Sequence, residues 1–485
     1  MNLLILLLLP LAAGIALAFM KKAPRKAQDL VFVLALAAEA GLALWVLIAP
    51  GAPLTLFSMT EALPVTLAAD TVSKVFLAAA CFGFLPAGVY ALRDLREDER
   101  QSSFYSLMLF SQSALVGMDL SANLVTMFLF FELATLLSVP LVLHERTEES
   151  IRAALKYLFY SVGGALLALL CVFVLARCCD SLVFPAGGTL GAEAAGREGL
   201  LLVTVFLGVL GFGAKAGLYP LHGWVADAQP AAPAPASAVL SGVISAAGVL
   251  AILRLIYYVV GTSFLRGTWV QYAWLGLALL TVFMGSMMAY REEVLKVRLA
   301  YSSVSQISYI LTGLFLMSAD GFAGSLLHLL FHACMQSGLF LVAGSFLTNM
   351  KEGRVSELRG VGRVMPVTLW CYTVLSLGLV GIPPLCGFVS KWYLALGALE
   401  SALPVYFWLV PVILLISALL TAGYLLPLVV RGFFPGRDFG TPSRNDEGGL
   451  RMWIPLAVLA GLCALLGIFA DGLVAAFLGT AAALM

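Results

Sequence analysis

Six ionisable side chains sit where an apolar chain has least reason to put them. They are Glu132 in LFFELATLLSVP, Lys156 in ALKYLFYS, Lys215 in GFGAKAGLYPLHGW, His328 and His332 in LLHLLFHACMQSG, and Lys391 in GIPPLCGFVSK. A charge at the centre of a bilayer costs on the order of 2.5–3.5 kcal/mol on insertion scales, so each needs a partner, water or a function. What the six share is an exchangeable proton. A lysine among apolar side chains loses part of its preference for the charged state, and a neighbouring carboxylate restores it. Glu132 and Lys156 fall on consecutive spans and are expected to face each other. The i, i+4 spacing puts His328 and His332 on one helix face. That suits a proton relay, structural hydrogen bonding, or a metal or haem, although the other two histidines, His144 and His222, lie near loops. No metal site is assigned.

The elements that must position these residues are membrane spans. The 485 residues are 61% hydrophobic and 11% charged, too little polar surface for a soluble chain of this length. Runs of apolar residues long enough to cross a bilayer begin near 2, 30, 72, 104, 121, 154, 199, 234, 269, 297, 321, 366, 404 and 452, about fourteen in all. The expected fold is an all-α polytopic membrane protein, one transmembrane domain over 1–485. The first run lacks a basic segment before it and a cleavage site after it, and reads as a retained span. Basic residues crowd alternate loops: Lys21, Lys22, Arg25 and Lys26; Arg93, Arg96 and Arg100; Arg146 and Arg152; Arg291, Lys296 and Arg298; Lys351, Arg354, Arg359 and Arg363; Arg431, Arg437, Arg444 and Arg451. The other loops hold Arg177, Arg197 and Arg266. This bias places both termini on the outer face of the cell (inner) membrane. Lys74 is near a span end and snorkels, while Arg254 either does the same or pairs internally.

Lys215 and Lys391 each lie beside residues that interrupt a helix, Gly217 and Pro220 in one case, Pro383 and Pro384 in the other. A helix broken at membrane depth must line a polar cavity. The breaks fall in the seventh and twelfth spans, five apart. Spans 4–8, about 104–260, and 9–13, about 269–430, are therefore expected to form an inverted five-helix repeat with two discontinuous helices.

These segments, with PLHGWVADAQPAAPAPASAVLSGV and LKVRLAYSSVSQISYILTGL, occur in the order seen in the antiporter-like subunits, a family this chain resembles over nearly its whole length. The family includes proton-pumping membrane subunits of respiratory complex I, the A-type and D-type subunits of Mrp sodium/proton antiporters, and membrane arms of formate hydrogenlyase and other energy-converting hydrogenases. The resemblance implies fourteen transmembrane helices. It implies that Glu132 governs proton affinity by pairing with a lysine, with Lys156 near it, and that Lys215 is the central lysine. His328 and His332 correspond to the linking chain, and Lys391 to the terminal ionisable group; lysine there is closest to the D-type Mrp and hydrogenase-type members. The chain departs from the pattern at Ala246 and Gln336, where relatives carry titratable residues. Ser241, Ser245 and Gln336 then remain as a polar but non-titratable path, bridged by water.

The function expected is proton-translocating subunit of a multisubunit membrane complex, coupling redox energy or an ion gradient to movement of H+ or Na+, with Glu132 swinging between Lys156 and Lys215. Partners expected are other membrane subunits, Fe–S or Ni–Fe peripheral subunits, and the lipid bilayer. The eight cysteines form no C-x-x-C, and no nucleotide loop or flavin motif occurs, so no cofactor or redox centre is expected in this chain. The charge balance of +1, without a basic aromatic stretch, argues against nucleic acid. The rival readings are a stand-alone secondary transporter of a small solute, a non-conducting scaffold subunit, and a bicarbonate-uptake module with a zinc-bearing partner.

Overall fold

A computed structural model describes residues 2–49, 51–60, 63–351, 353–436 and 447–485. Arg437 and Arg444 lie outside them. The helices are α1 (Asn2–Phe19), α2 (Arg25–Ile48), α3 (Thr71–Asp94), α4 (Gln101–Asp119), α5 (Leu124–Val142), α6 (Glu148–Cys178), α7 (Glu198–Ala216), α8 (Val225–Ala231) and α9 (Ala234–Val260). They continue as α10 (Trp269–Arg291), α11 (Leu295–Leu316), α12 (Ala319–Met350), α13 (Pro366–Val380), α14 (Cys386–Leu399), α15 (Tyr406–Phe433), α16 (Leu450–Ile468) and α17 (Asp471–Leu484). Helix starts follow local capping chemistry. Asp70 accepts from the Ser73 amide at 2.8 Å, Asn123 from Thr126 at 2.7 Å, and Thr147 from Ser150 at 3.1 Å.

Among the described residues, twelve helices are long and apolar enough to cross a membrane. The two spans by which this falls short of the sequence count have physical reasons. Helix α4 spreads Gln101, Gln112, Asp119 and several serines along 19 residues, and the span beginning near 366 is divided into α13 and α14, each short alone. At the centre stand α9 and α12, whose spanning windows are wholly buried, and α11, nearly so. Helix α9 is apolar apart from three serines and Arg254, and it exposes no face outside the bundle. Helices α1, α2, α15 and α16 bury a third or less of their windows and face outward.

Helix α9 is not uniform. It widens into π turns at Leu240–Ile244 and Leu255–Val260, so that the Ser245 amide bonds Leu240 O, five residues back. Gly242 lies in the first of these turns, and a β-carbon there would come within 2.2 Å of Ser337 Oγ on α12. A side chain at 242 would force the Ser337 hydroxyl to move.

The basic segments meet at one end of the bundle: Arg25 reaches Asp98 O, His144 bonds Asp98 at 2.7 Å, and the Gly360 amide bonds Arg431 O. The opposite end carries a hairpin, Leu54–Ser58 paired antiparallel with Pro64–Leu67. There Arg254 pairs internally, with Asp70 at 2.5 and 2.7 Å, and Tyr258 adds a bond at 2.9 Å. Burial alone would raise the Asp70 carboxyl; the guanidinium outweighs it and holds the group well below the usual carboxylate range.

Candidate functional site

Helix α7 ends at Ala216 because Gly217 takes the left-handed conformation, φ +77°, and the chain turns through residues 218–224 before α8. Lys215 is thus the penultimate residue of α7, where a cation meets the negative end of the helix dipole. Its side chain is 0% exposed. The ammonium donates to Thr135 Oγ1 at 2.8 Å and to the Tyr157 hydroxyl at 2.7 Å, and it lies 5.0 Å from the Tyr157 ring centroid. Glu132, one turn before Thr135 on α5, is the carboxylate within electrostatic reach of it. Glu132 Oε1 is buried without a hydrogen-bond partner. The end of α7 is capped by another group: Trp224 Nε1 donates to Ala214 O at 2.8 Å while its ring stacks on Tyr157.

The second break repeats the form with different parts. Helix α13 ends at Val380, Gly381 is left-handed with φ +93°, and α14 begins at Cys386. Lys391 lies beyond this break, on α14, and its ammonium reaches back to Leu379 O at 2.6 Å and Val380 O at 3.1 Å. It also sits 5.0 Å from the Tyr309 ring centroid, and Tyr309 stacks on His328. His328 Nδ1 is hydrogen-bonded with Ser390 Oγ at 2.8 Å and its Nε2 with Gln306 Oε1 at 3.1 Å, while the Ser390 hydroxyl also reaches Gly387 O at 3.2 Å.

Between the two breaks lies buried polar surface. His332 Nε2 bonds Ser241 O at 3.4 Å, and Gln336 Nε2 donates to Leu299 O at 2.7 Å. Ser245 Oγ donates to Leu240 O and accepts from Gln229 at 3.4 Å. Gln229 Oε1, Ser241 Oγ, His332 Nδ1, Gln306 Nε2, Ser308 Oγ and Gln336 Oε1 are buried without a partner in the chain. Such a row of orphan atoms is the pattern met by bridging water. Among the described residues, no direct hydrogen bond joins the Lys215 cluster to the His332 cluster.

One expected pairing is overturned. Lys156 does not meet Glu132; it bonds Asp227 on α8 at 2.5 Å, in a pair whose side chains are 41% and 48% exposed. The reason is helical geometry. Tyr157 is the residue of α6 turned toward Lys215, and its neighbour Lys156 points about 100° away. Lys156 instead lines a cavity of about 820 Å³ at the basic end, with Glu149, Arg152, Asp227 and Glu292. Sequence reasoning also missed Thr135, Tyr157, Gln306 and Ser390, which bond the ionisable groups, Trp224, which caps the end of α7, and Gln229, which bonds Ser245 on the polar path. Asp227, Gln229 and Trp224 lie within the quoted PLHGWVADAQP segment, but nothing in their type marked them as partners.

Residues 121–421, which contain all six ionisable positions, match the family described as NADH:quinone oxidoreductase/Mrp antiporter, TM. NADH-quinone oxidoreductase subunit N of Desulforudis audaxviator (strain MP104C) is 32% identical over 418 residues, covering 84% of this chain and 82% of that one. The D-type subunit of the Na(+)/H(+) antiporter of Bacillus subtilis (strain 168) is 28% identical over 409 residues, 83% of this chain and 80% of its own length. A chain in the structure of the Mrp complex from Dietzia sp. DQ12-45-1b shares the fold, with a TM-score of 0.85 at 20% identity over 100% of this chain and 97% of that one. On this sequence similarity and this arrangement of broken helices, the chain belongs to the NADH:quinone oxidoreductase/Mrp antiporter membrane family.

Proposed function

We propose that the chain translocates protons as one subunit of a multisubunit membrane complex of the complex I-like, hydrogenase-like or Mrp type. Lys215 carries this reading. A permanent structural cation is expected in contact with an ionised carboxylate, as Arg254 is with Asp70. Lys215 instead contacts two neutral hydroxyls, and both of its charge states fit there. Charged, it donates to Thr135 and Tyr157; neutral, its lone pair accepts from Tyr157, which otherwise bonds Ser138 at 2.8 Å.

Glu132 sets the balance: closer, it favours the charged ammonium, and farther, the neutral amine. Moving one proton against 100 mV requires about 2.3 kcal/mol, which corresponds to about a fiftyfold change in proton affinity. Water bridging the orphan atoms of Gln229, Ser241, His332 and Gln306 carries the proton toward His328 and Lys391. Energy comes from partner subunits, Fe–S or Ni–Fe peripheral ones in a redox-driven complex, or from an ion gradient. In this reading α4–α9 and α10–α15 are the inverted repeat, since each is interrupted in its fourth span by a left-handed glycine. The basic end faces inward, and both termini lie outside.

A second reading, a scaffold that no longer conducts, draws on Ala246 and on the Gln336 amide, whose nitrogen is tied to Leu299 O. Lys215→Ala separates the two. In complexes reconstituted into liposomes it is expected to abolish coupled proton transport while assembly persists, and retained pumping would sink the conducting reading. Purification through a tag on this chain, with iron and nickel assayed on the same sample, identifies the drive: metal-bearing partners indicate a redox pump, membrane partners alone a gradient-driven exchanger.

A further inference from the structure

Outside the path just described, helices α2, α3 and α4 enclose a second line of buried polar groups. On α4 they recur every seven residues: Tyr105, Gln112 and Asp119, buried to 0%, 3% and 1% exposure. Seven residues are two turns of helix, so the three share one face. At the basic end Gln101 and Tyr105 both bond Asp29 of α2, at 2.5 and 3.1 Å, and Phe32 stacks on Tyr105 with ring centroids 3.9 Å apart. The contacts from Asp29 to Gln101 and from Phe32 to Tyr105 show that α2 and α4 run in the same direction. Seven residues beyond Phe32 on α2 is Glu39, and seven beyond Tyr105 on α4 is Gln112, which brings the two to about the same depth.

Glu39 is 1% exposed, and neither carboxyl oxygen has a hydrogen-bond partner. Gln112 Oε1 and Asp119 Oδ2 are likewise orphaned. Cys81 of α3 lies within electrostatic reach of both Glu39 and Asp119, and Asp119 within reach of Arg254. Helix α1, which also packs on α2, contributes no charged residue. Both ends of the line open on cavities. One of about 680 Å³ at the basic end is lined by Asp29, Gln101 and Arg451, and one of about 290 Å³ at the opposite end by Asp70, Ser121 and Arg254.

We propose that α2, α3 and α4 form a second proton track, independent of Lys215, with Glu39 as its proton-holding group at mid-depth. A lone buried carboxyl with no cation in contact takes up a proton rather than stay charged. Asp119 lies about two helical turns further along the bundle than the level of Glu39 and Gln112, whereas a metal cation needs several oxygens gathered around one point. Apolar side chains, among them Phe32 stacked on the Tyr105 ring, separate the polar steps. The track therefore exchanges protons in steps and is not an open pore.

The test uses the intact complex, purified through this chain and reconstituted into liposomes, with a pH-sensitive dye reading proton entry under an imposed membrane potential. Lys215→Ala is expected to leave flux above that of protein-free liposomes, and adding Glu39→Gln to bring it down to their level, with Glu39→Asp retaining it. A hydrophobic carbodiimide, which adds to protonated carboxyls, is expected to label Glu39 in the unaltered complex, a readout that needs no variant to fold. Equal flux from Lys215→Ala with and without Glu39→Gln, or no labelling at Glu39, overturns the second track. The central reading fails separately, on an unchanged flux in Lys215→Ala alone.

Discussion

The two broken helices end alike, at a left-handed glycine, and differ in what binds the carbonyls left open. At the first break the indole N–H of Trp224 bonds Ala214 O, and Lys215 is left to two hydroxyls. At the second break no indole takes that role, and the Lys391 ammonium itself bonds Leu379 O and Val380 O. A lysine that holds up a helix end loses structure when it loses its charge. A lysine relieved of that task changes charge at small structural cost. The difference makes Lys215 the group suited to rapid change of protonation, and Lys391 a terminus whose state is coupled to the geometry of α13 and α14.

Lys391→Ala should have the larger effect on stability. It strands two helix-end carbonyls, and a loss of about 2–4 kcal/mol is expected. Lys215→Ala should cost less, because Thr135 Oγ1 keeps its bond to Phe131 O and Tyr157 its bond to Ser138. Thermal unfolding midpoints of the two purified variants in the same detergent check this. Equal midpoints would erase the distinction between the breaks.

Trp224→Phe brings the first break closer to the second. The ring remains to stack on Tyr157, but Ala214 O loses its indole donor and keeps only the longer bond from the Gly217 amide at 3.3 Å, at an expected cost of about 1 kcal/mol. If the indole is what relieves the lysine of capping, the Lys215 ammonium should take over part of that role. Lys215→Ala should then destabilise more in the Trp224→Phe background than alone, a coupling that a double-mutant cycle of unfolding midpoints measures. Additive midpoints would mean that Trp224 does not free the lysine.

Both breaks were legible in the sequence because glycine and proline act locally, and the buried charges were legible because they are rare in apolar spans. What the sequence did not disclose is set by rotation and depth. Lys156 and Tyr157 are neighbours in the chain, yet one faces Asp227 and the other Lys215. The division of labour between Trp224 and Lys391 depends on which donor reaches a carbonyl across a turn, which no periodicity encodes. The π turn that brings Ser241 to His332 lies in a segment whose composition reads as plain helix. Glu39 escapes a reading of the sequence for a different reason: it is ten residues from Asp29, the nearest charged residue of α2, and only the fold aligns it with Gln112 and Asp119.

The smallest effect is expected at Lys156, and it tests whether the comparison involves two lysines or three. Its pair with Asp227 is about half exposed and lines an open cavity, so removing it by Lys156→Ala should shift stability by less than about 1 kcal/mol. What remains is its field at the mouth of the cavity, shared with Arg152 and opposed by Glu149, Asp227 and Glu292. Salt screens such fields over about 8–10 Å at ionic strengths of roughly 0.1–0.15 M, and over about 3 Å at 1 M. Lys156→Ala should therefore slow proton transport at low ionic strength and match the parent chain at high salt. Coupled transport lost at every salt concentration, as expected for Lys215→Ala, would put Lys156 on the conduction path itself. Tyr157 would then be a link between two lysines, and the contrast between the breaks would be one part of a longer series.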